Sequence, residues 1–316
     1  MNIIIKRLKM LYDNALDAIG NTPLVRIPLD SPANVYAKLE YLNPGGSVKD
    51  RSAKFMIEQA ELTGVLKPGG TIIDASSGNQ GIAVAMIGAI KGYKVIITVS
   101  EKISSEKLGA IQAYGAETVM CPPTDFMDDP QSYHSVAVHL HEATPGSFMP
   151  NQYYNPINAQ AHYTSMGPEV WEQTEGKITH FIAAAGTGGT ISGTGRYLKE
   201  QNPAVQIIAV DSVNSFRSTG GHPKPYKIEG MGIDFDTDVL DESVIDKFIA
   251  VHDDPSLEIL RKIAREQGIL GGLSSGAVAY AAQLYCKDLG PEAVVVMIFG
   301  DSGRAYLSKN PFGSDS

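Results

Sequence analysis

The chain has 316 residues, 43% of them hydrophobic, and a formal net charge of −9. That length holds one large domain or two smaller ones sharing an interface, and the composition is that of an ordinary globular protein. The acidic balance argues against a nucleic-acid partner, which needs concentrated Lys and Arg.

At the N-terminus, MNIIIKRLKM has too few apolar residues for a secretory signal, and no small-residue cleavage site follows. No stretch approaches the roughly 18 apolar residues of a membrane span, so no membrane association is expected and a cytoplasmic location is. Met10 offers an alternative start, because everything organised lies after it. GGSVKDR (45–51) precedes a helix over 52–61. TIIDA (71–75) reads as a strand, SSGNQG (76–81) as the loop after it, and the Ala-rich segment 82–90 as a buried helix that Gly92 ends. KVIITV (94–99) is the next strand. Leu108, Ile111 and Tyr114 have helical spacing within 104–114, Gly115 stops that helix, and 117–120 is a third strand.

A Pro- and Asn-rich stretch, 149–158, precedes a second unit. This unit has a strand over 178–185, the loop GTGGT (186–190), a helix through Lys199 and a strand over 206–210. Helices over 257–266 and 277–287 and the buried strand AVVVMIF (293–299) complete it. The alternation predicts an α/β fold with parallel sheets and helices on their faces. The unusual sequences follow strand ends: SSGNQG after Ala75, GTGGT after Ala185 and GDSGR after Phe299. Open α/β sheets bind ligands beyond the carboxyl ends of their strands, so one cleft between the two units is predicted.

Three segments carry chemistry. GTGGT frees backbone N–H groups at a helix start, which suits a phosphate. It lacks the GK[ST] ending of a P-loop, and Ile191 stands where a dinucleotide fingerprint has its last glycine. Asp211 ends the next strand where a ribose-binding acid sits, so a nucleotide remains the second reading. In GGSVKDR, Lys49 stands at a helix start, where the dipole disfavours a cation. Taken alone, it reads as an exposed lysine; buried, the same dipole would help keep the amine neutral, as a Schiff-base nucleophile requires. SSGNQG offers hydroxyls, amides and N–H groups suited to a carboxylate or a phenolic oxygen, more than an ordinary helix cap needs.

GGSVKDR, SSGNQG, GTGGT and GGLSSG, in this order and spacing, resemble the β-family (fold type II) pyridoxal-phosphate enzymes, over nearly the whole chain from Ile19 to Lys309. The resemblance implies two parallel-sheet α/β domains with the active site in the cleft between them. The smaller, substrate-binding domain spans 48–152. The larger, cofactor-phosphate-binding domain comprises 1–47 and 153–316. It implies that Lys49 forms the internal aldimine and acts as the base, and that Asn79 lies beside the ring oxygen. Gly186, Thr187, Gly188, Gly189 and Thr190 form the phosphate cup, and Ser274 faces the pyridine nitrogen. Ser76, Ser77, Gln80 and Gln152 hold the substrate carboxylate. The family usually has Thr at both ends of the asparagine loop; here they are Ser76 and Gln80.

The implied reaction is β-replacement on serine or an O-activated serine through an aminoacrylate that a thiol attacks. Ser274, a neutral partner for the ring nitrogen, favours β-elimination over transamination. EGMGIDF (229–235), AHY (161–163) and DSGRAYLSK (301–309) resemble cystathionine β-synthase more than cysteine synthase, which is the alternative. Homocysteine is therefore the expected acceptor, with Glu229 meeting its ammonium beside Gly230. The chain reads as a bare catalytic core without a haem segment or regulatory pair. A homodimer is expected, with small amino-acid and thiol substrates and no metal. DFDTD (234–238) fails as a calcium loop because Val239 and Ile245 stand where Gly and Glu are needed. His139 and His141 cannot share a helix face, His222 reads as solvent-facing and Trp171 as packing. Cys121 and Cys286 read as buried reduced thiols.

Overall fold

The computed structural model describes residues 11–76, 78–124, 127–234 and 236–313. In chain order the strands are β1 (Leu24–Arg26), β2 (Asn34–Leu39), β3 (Thr71–Ala75), β4 (Lys94–Ser100), β5 (Glu117–Cys121), β6 (His180–Ala184), β7 (Gln206–Ser212), β8 (Lys247–Val251) and β9 (Val294–Phe299). The α-helices are α1 (Lys49–Leu62), α2 (Asn79–Lys91), α3 (Ser105–Ala113), α4 (Tyr133–Ala143), α5 (Ile157–Thr164), α6 (Met166–Gln173), α7 (Gly189–Gln201), α8 (Asp253–Gln267) and α9 (Leu273–Tyr285).

Two sheets result. The larger has the order β1-β2-β9-β6-β7-β8 and the smaller β3-β4-β5. All pairings are parallel except β1 with β2, so an antiparallel edge strand modifies the expected all-parallel sheet. The apolar runs of β6, β7 and β9 suit strands buried on both faces. Their side chains alternate. Ile182, Ile208, Val295 and Met297 enter one core with Leu260 and Val278, whereas Phe181, Ile207, Val296 and Ile298 enter another with Ile191 and Leu198. A separate core joins Ile72, Val95 and Ile97 of the small sheet to Ile57 of α1 and to α2. Helix α2 is apolar nearly all round, as its Ala-rich sequence demands, and most of it is buried.

The sequence reading omits β1, β2, β8, α4, α5 and α6. Strand β2 hides behind its charge: Lys38 is fully buried in it. Helices α5 and α6 are eight residues each and meet at Ser165, too short for a clear period. The stretch at 149–158 does not simply link two units, because its end begins α5, which packs against both α1 and α7. The chemistry-bearing motifs lie within first helical turns. Lys49 opens α1, Asn79 opens α2, Gly189 opens α7 and Ser274 is second in α9.

Candidate active site

Lys49 is placed by its neighbours. Val48 N–H donates to the Gly300 carbonyl at 2.8 Å, and Ser47 bridges Asp301, which fixes the start of α1 against the end of β9. Gly46 takes φ +88°, a left-handed conformation that favours glycine. A Cβ on Gly45 would lie 2.5 Å from Asp50 Oδ1. Burial pushes the Lys49 amine down to about 8, against the opposing pull of Asp301 and Asp74. About a tenth of the amine is then neutral at pH 7, far more than for an ordinary lysine, as a nucleophilic or basic amine requires.

The loop at 186–190 forms a cradle that only small residues fit. Gly188 has φ +88°, and a Cβ there would sit 2.7 Å from the Leu240 backbone. A Cβ on Gly189 would collide with Asn158 Oδ1 at 2.3 Å, and one on Gly186 would approach the Gly230 carbonyl at 3.3 Å. Thr187 Oγ1 accepts from Gly189 N–H and from Asn158 Nδ2, each at 3.2 Å. Thr190 Oγ1 lies 3.3 Å from His162 Nε2, whose ring burial and the nearby cations hold well below the ordinary histidine range. A neutral ring therefore backs the loop. Gly189 N–H is spent on Thr187, and the Thr190 and Ile191 N–H groups of the α7 first turn have no intrahelical acceptor, an arrangement that fits a phosphate.

At the start of α2, Ser76 Oγ accepts from Gly78 N–H at 3.3 Å and from Gly81 N–H at 3.0 Å, which leaves its own O–H to donate. Asn79 Nδ2 donates to Asp301 Oδ2 at 2.7 Å. Gln80 is 1% exposed, and both ends of its amide lack partners. The amide oxygen of Gln152 is likewise buried and unpartnered. Ser77 lies outside the described residues.

Ser274 is 8% exposed, and a Cβ on Gly230 would stand 3.6 Å from its Oγ. Glu229 is not a free carboxylate. Its Oε2 meets Lys107 Nζ at 2.8 Å and its Oε1 pairs with Lys309. Burial would raise the Glu229 carboxyl, but the two lysines outweigh it and hold it below the usual range.

These residues converge on one cleft of about 1550 Å³. Lys49, Ser76, Asn79, Gln80, Gln152, Gly186, Thr187, Gly188, Thr190, Glu229, Gly230 and Ser274 all line it; Gly189 sits behind the loop against Asn158. The sequence reading misses Asp301, Tyr306, Asp74, Tyr133 and Tyr153. Asp301 accepts from Asn79 and from Tyr306 Oη, and burial raises its carboxyl. Asp74 is buried at the end of β3, and desolvation pushes it up to about 7 although Lys49 pulls it down. The acids betray themselves only by ending strands, and the tyrosines by no sequence signal.

A model of the pyridoxal-phosphate dependent enzymes matches residues 15–301. The chain belongs to that family. A cystathionine beta-synthase of Apis mellifera is 46% identical over 308 residues, covering 95% of this chain and 61% of that protein, so the chain spans about three fifths of that relative's length. A cysteine synthase of Staphylococcus aureus is 43% identical over 307 residues, 96% of this chain and 98% of that one. Among solved structures, the O-acetylserine dependent cystathionine beta-synthase from Helicobacter pylori superposes with TM-score 0.89 at 37% identity, covering 96% of this chain and 100% of that one. An O-ureido-L-serine synthase superposes with TM-score 0.91 at 34% identity, covering 97% and 96%.

The cofactor of this family is pyridoxal 5'-phosphate, and the cradle at 186–190 and the depressed Lys49 amine fit it. The nucleotide reading is superseded. Asp211, its ribose-binding candidate, accepts from Ser215 Oγ at 2.6 Å, Ser218 Oγ at 2.8 Å and the N–H groups of Ser212 and Ile233. It is a buried bracket for the loops around it. Among the described residues no group of His, Cys, Asp or Glu is placed to hold a metal, and no helix is long and apolar enough to cross a membrane.

Proposed function

We propose that the chain catalyses β-replacement on serine or an O-activated serine, with homocysteine as acceptor to give cystathionine. The carrying observation is the convergence in one cleft of a depressed lysine amine, a phosphate cradle and a neutral serine hydroxyl at Ser274. Pyridoxal phosphate, when bound, supplies an electron sink for the substrate α-carbon. Lys49 would hold it, and its Nζ, once free, takes the α-proton. Gly186 to Thr190 would hold the phosphate. Ser274 Oγ would serve the ring nitrogen, and a hydroxyl carries no charge that would fix a proton there. Asn79 spends one Nδ2 hydrogen on Asp301, and the other would be available to the ring oxygen. Ser76 donates its O–H to the substrate carboxylate, assisted by N–H groups of the α2 first turn.

Cysteine synthesis from sulfide is the second reading, and Glu229 favours it. Both its oxygens are engaged by lysines, so no free carboxylate waits there for the ammonium of homocysteine. Sulfide needs none. Purified protein given serine or O-acetylserine with either thiol decides between the two. Cystathionine as the main product supports the first reading; cysteine with no cystathionine overturns it. We further propose a cytoplasmic homodimer whose smaller domain spans 48–152. Leu11 and Tyr12, exposed by 82% and 49%, offer apolar surface for the dimer. Sedimentation as a clean monomer at micromolar concentration refutes it.

A further inference from the structure

Gln80 differs from the other groups on the cleft wall. Both its amide nitrogen and its amide oxygen are buried without a partner. Because both ends are orphaned, the choice of which atom is nitrogen does not matter: one donor and one acceptor stay unmet either way. A buried amide in that state is costly, so the side chain is built for an occupant of the cleft.

A substrate carboxylate is not a sufficient occupant. It carries acceptors only. It already has the Ser76 hydroxyl, whose oxygen accepts from Gly78 and Gly81 and whose hydrogen is left to donate, and the Asn79 and Gln80 N–H groups that open α2. It could take a hydrogen from Gln80 Nε2 but has none to give Oε1. The amide oxygen of Gln152 is a second buried acceptor without a donor in the same cleft. Two unmet acceptors call for a hydrogen-bond donor carried by the substrate. In a serine-type substrate whose amine is engaged by the cofactor, the remaining place for one is the β-substituent. A free hydroxyl has a hydrogen to donate; an acetyl ester has none.

We propose that Gln80 selects the leaving group, accepting a hydrogen bond from the free hydroxyl of serine and so favouring serine over O-acylated serine. The inference rests on the β-replacement reading for its substrate class. The test uses cofactor-loaded wild type and Gln80→Met, with Gln80→Leu as the alternative should Gln80→Met not fold. Two quantities are read: the ratio of kcat/KM for serine to that for O-acetylserine, and the calorimetric Kd of serine and of L-alanine. Alanine has the same amine and carboxylate but no β-heteroatom. The variant should lower the serine to O-acetylserine ratio at least about tenfold, mainly through KM, while alanine Kd moves less than about twofold. An unchanged ratio overturns the proposal. So does alanine binding that weakens as much as serine binding, since Gln80 then serves the carboxylate alone. Should wild type turn over neither donor, the β-replacement reading fails by itself. The serine and alanine Kd values then judge Gln80: weakening confined to serine supports it, and equal or absent weakening overturns it.

Discussion

Helix α1 carries two cations two residues apart, in opposite surroundings. Arg51, 4% exposed, has its guanidinium filled: Nε and Nη2 meet Glu40 at 2.7 and 2.9 Å, and Nη1 and Nη2 meet Glu169 at 2.6 and 2.8 Å. Lys38 adds a contact to Glu169 at 2.9 Å, with Thr22 and Gln173 as further acceptors. Burial would raise the Glu169 carboxyl, yet Arg51 and Lys38 hold it down to about 2. The Lys49 amine, by contrast, makes no hydrogen bond among the described residues. Its two nearby acids, Asp74 and Asp301, each keep a buried oxygen without a partner. A satisfied network holds its geometry, since removing any one partner strands a buried charge. An unsatisfied one stores capacity for a ligand. One helix thus presents its anchor and its unpaired amine within a single turn.

The largest test of this contrast is Lys49→Ala. It should lose at least about a thousandfold in turnover, the range set by losing a positioned acid–base group, while remaining folded. Borohydride reduction followed by peptide mapping should label Lys49 in wild type, and a label on Lys54 instead would contradict the assignment. Arg51→Met should act the other way. Removing one partner from the buried network should cost about 3–5 kcal/mol of stability in urea unfolding. A loss under about 1 kcal/mol would mean that Glu40 and Glu169 find other partners. Ser274→Asp should retain the cofactor yet slow β-replacement at least about tenfold, because a carboxylate fixes a proton on the ring nitrogen. Turnover equal to wild type would show that the neutral partner is unimportant.

The smallest effect concerns pH. Lys49 captures cofactor only as the neutral amine, so capture by cofactor-free protein should rise with pH about a midpoint near 8. Asp74 favours the charged amine. Asp74→Asn should therefore lower that midpoint and speed capture at pH 7. Stopped-flow absorbance at several pH values measures it, and an unmoved midpoint would remove Asp74 from the Lys49 environment.

Much of the site is legible in the chain because it is local. A phosphate cradle needs consecutive small residues, and GTGGT supplies them; the helix starts at Asn79 and Ser274 bring their own motif. Helix lengths are also readable where a long apolar period exists, as in α2 and α3. Strand β2 is not readable, since its buried Lys38 is tolerated through Glu169 and Gln173, 131 and 135 positions away in the chain, together with the Thr22 carbonyl.

By itself the sequence determines the α/β alternation and the loops at strand ends, because each rests on neighbours within a turn or two; Lys49 stands out only through the order and spacing of four motifs along the whole chain. Tertiary structure alone decides which charges are spent and which are free. Glu229 looks available in EGMGIDF and is engaged by Lys107 and Lys309. Asp211 looks like a ribose ligand and is consumed by two serines and two backbone groups. Gln80 looks like a carboxylate-binding residue and is left with both ends of its amide unpartnered. The physical reason is common to all three. Whether a polar atom is satisfied depends on partners brought close by folding, and no local pattern records them.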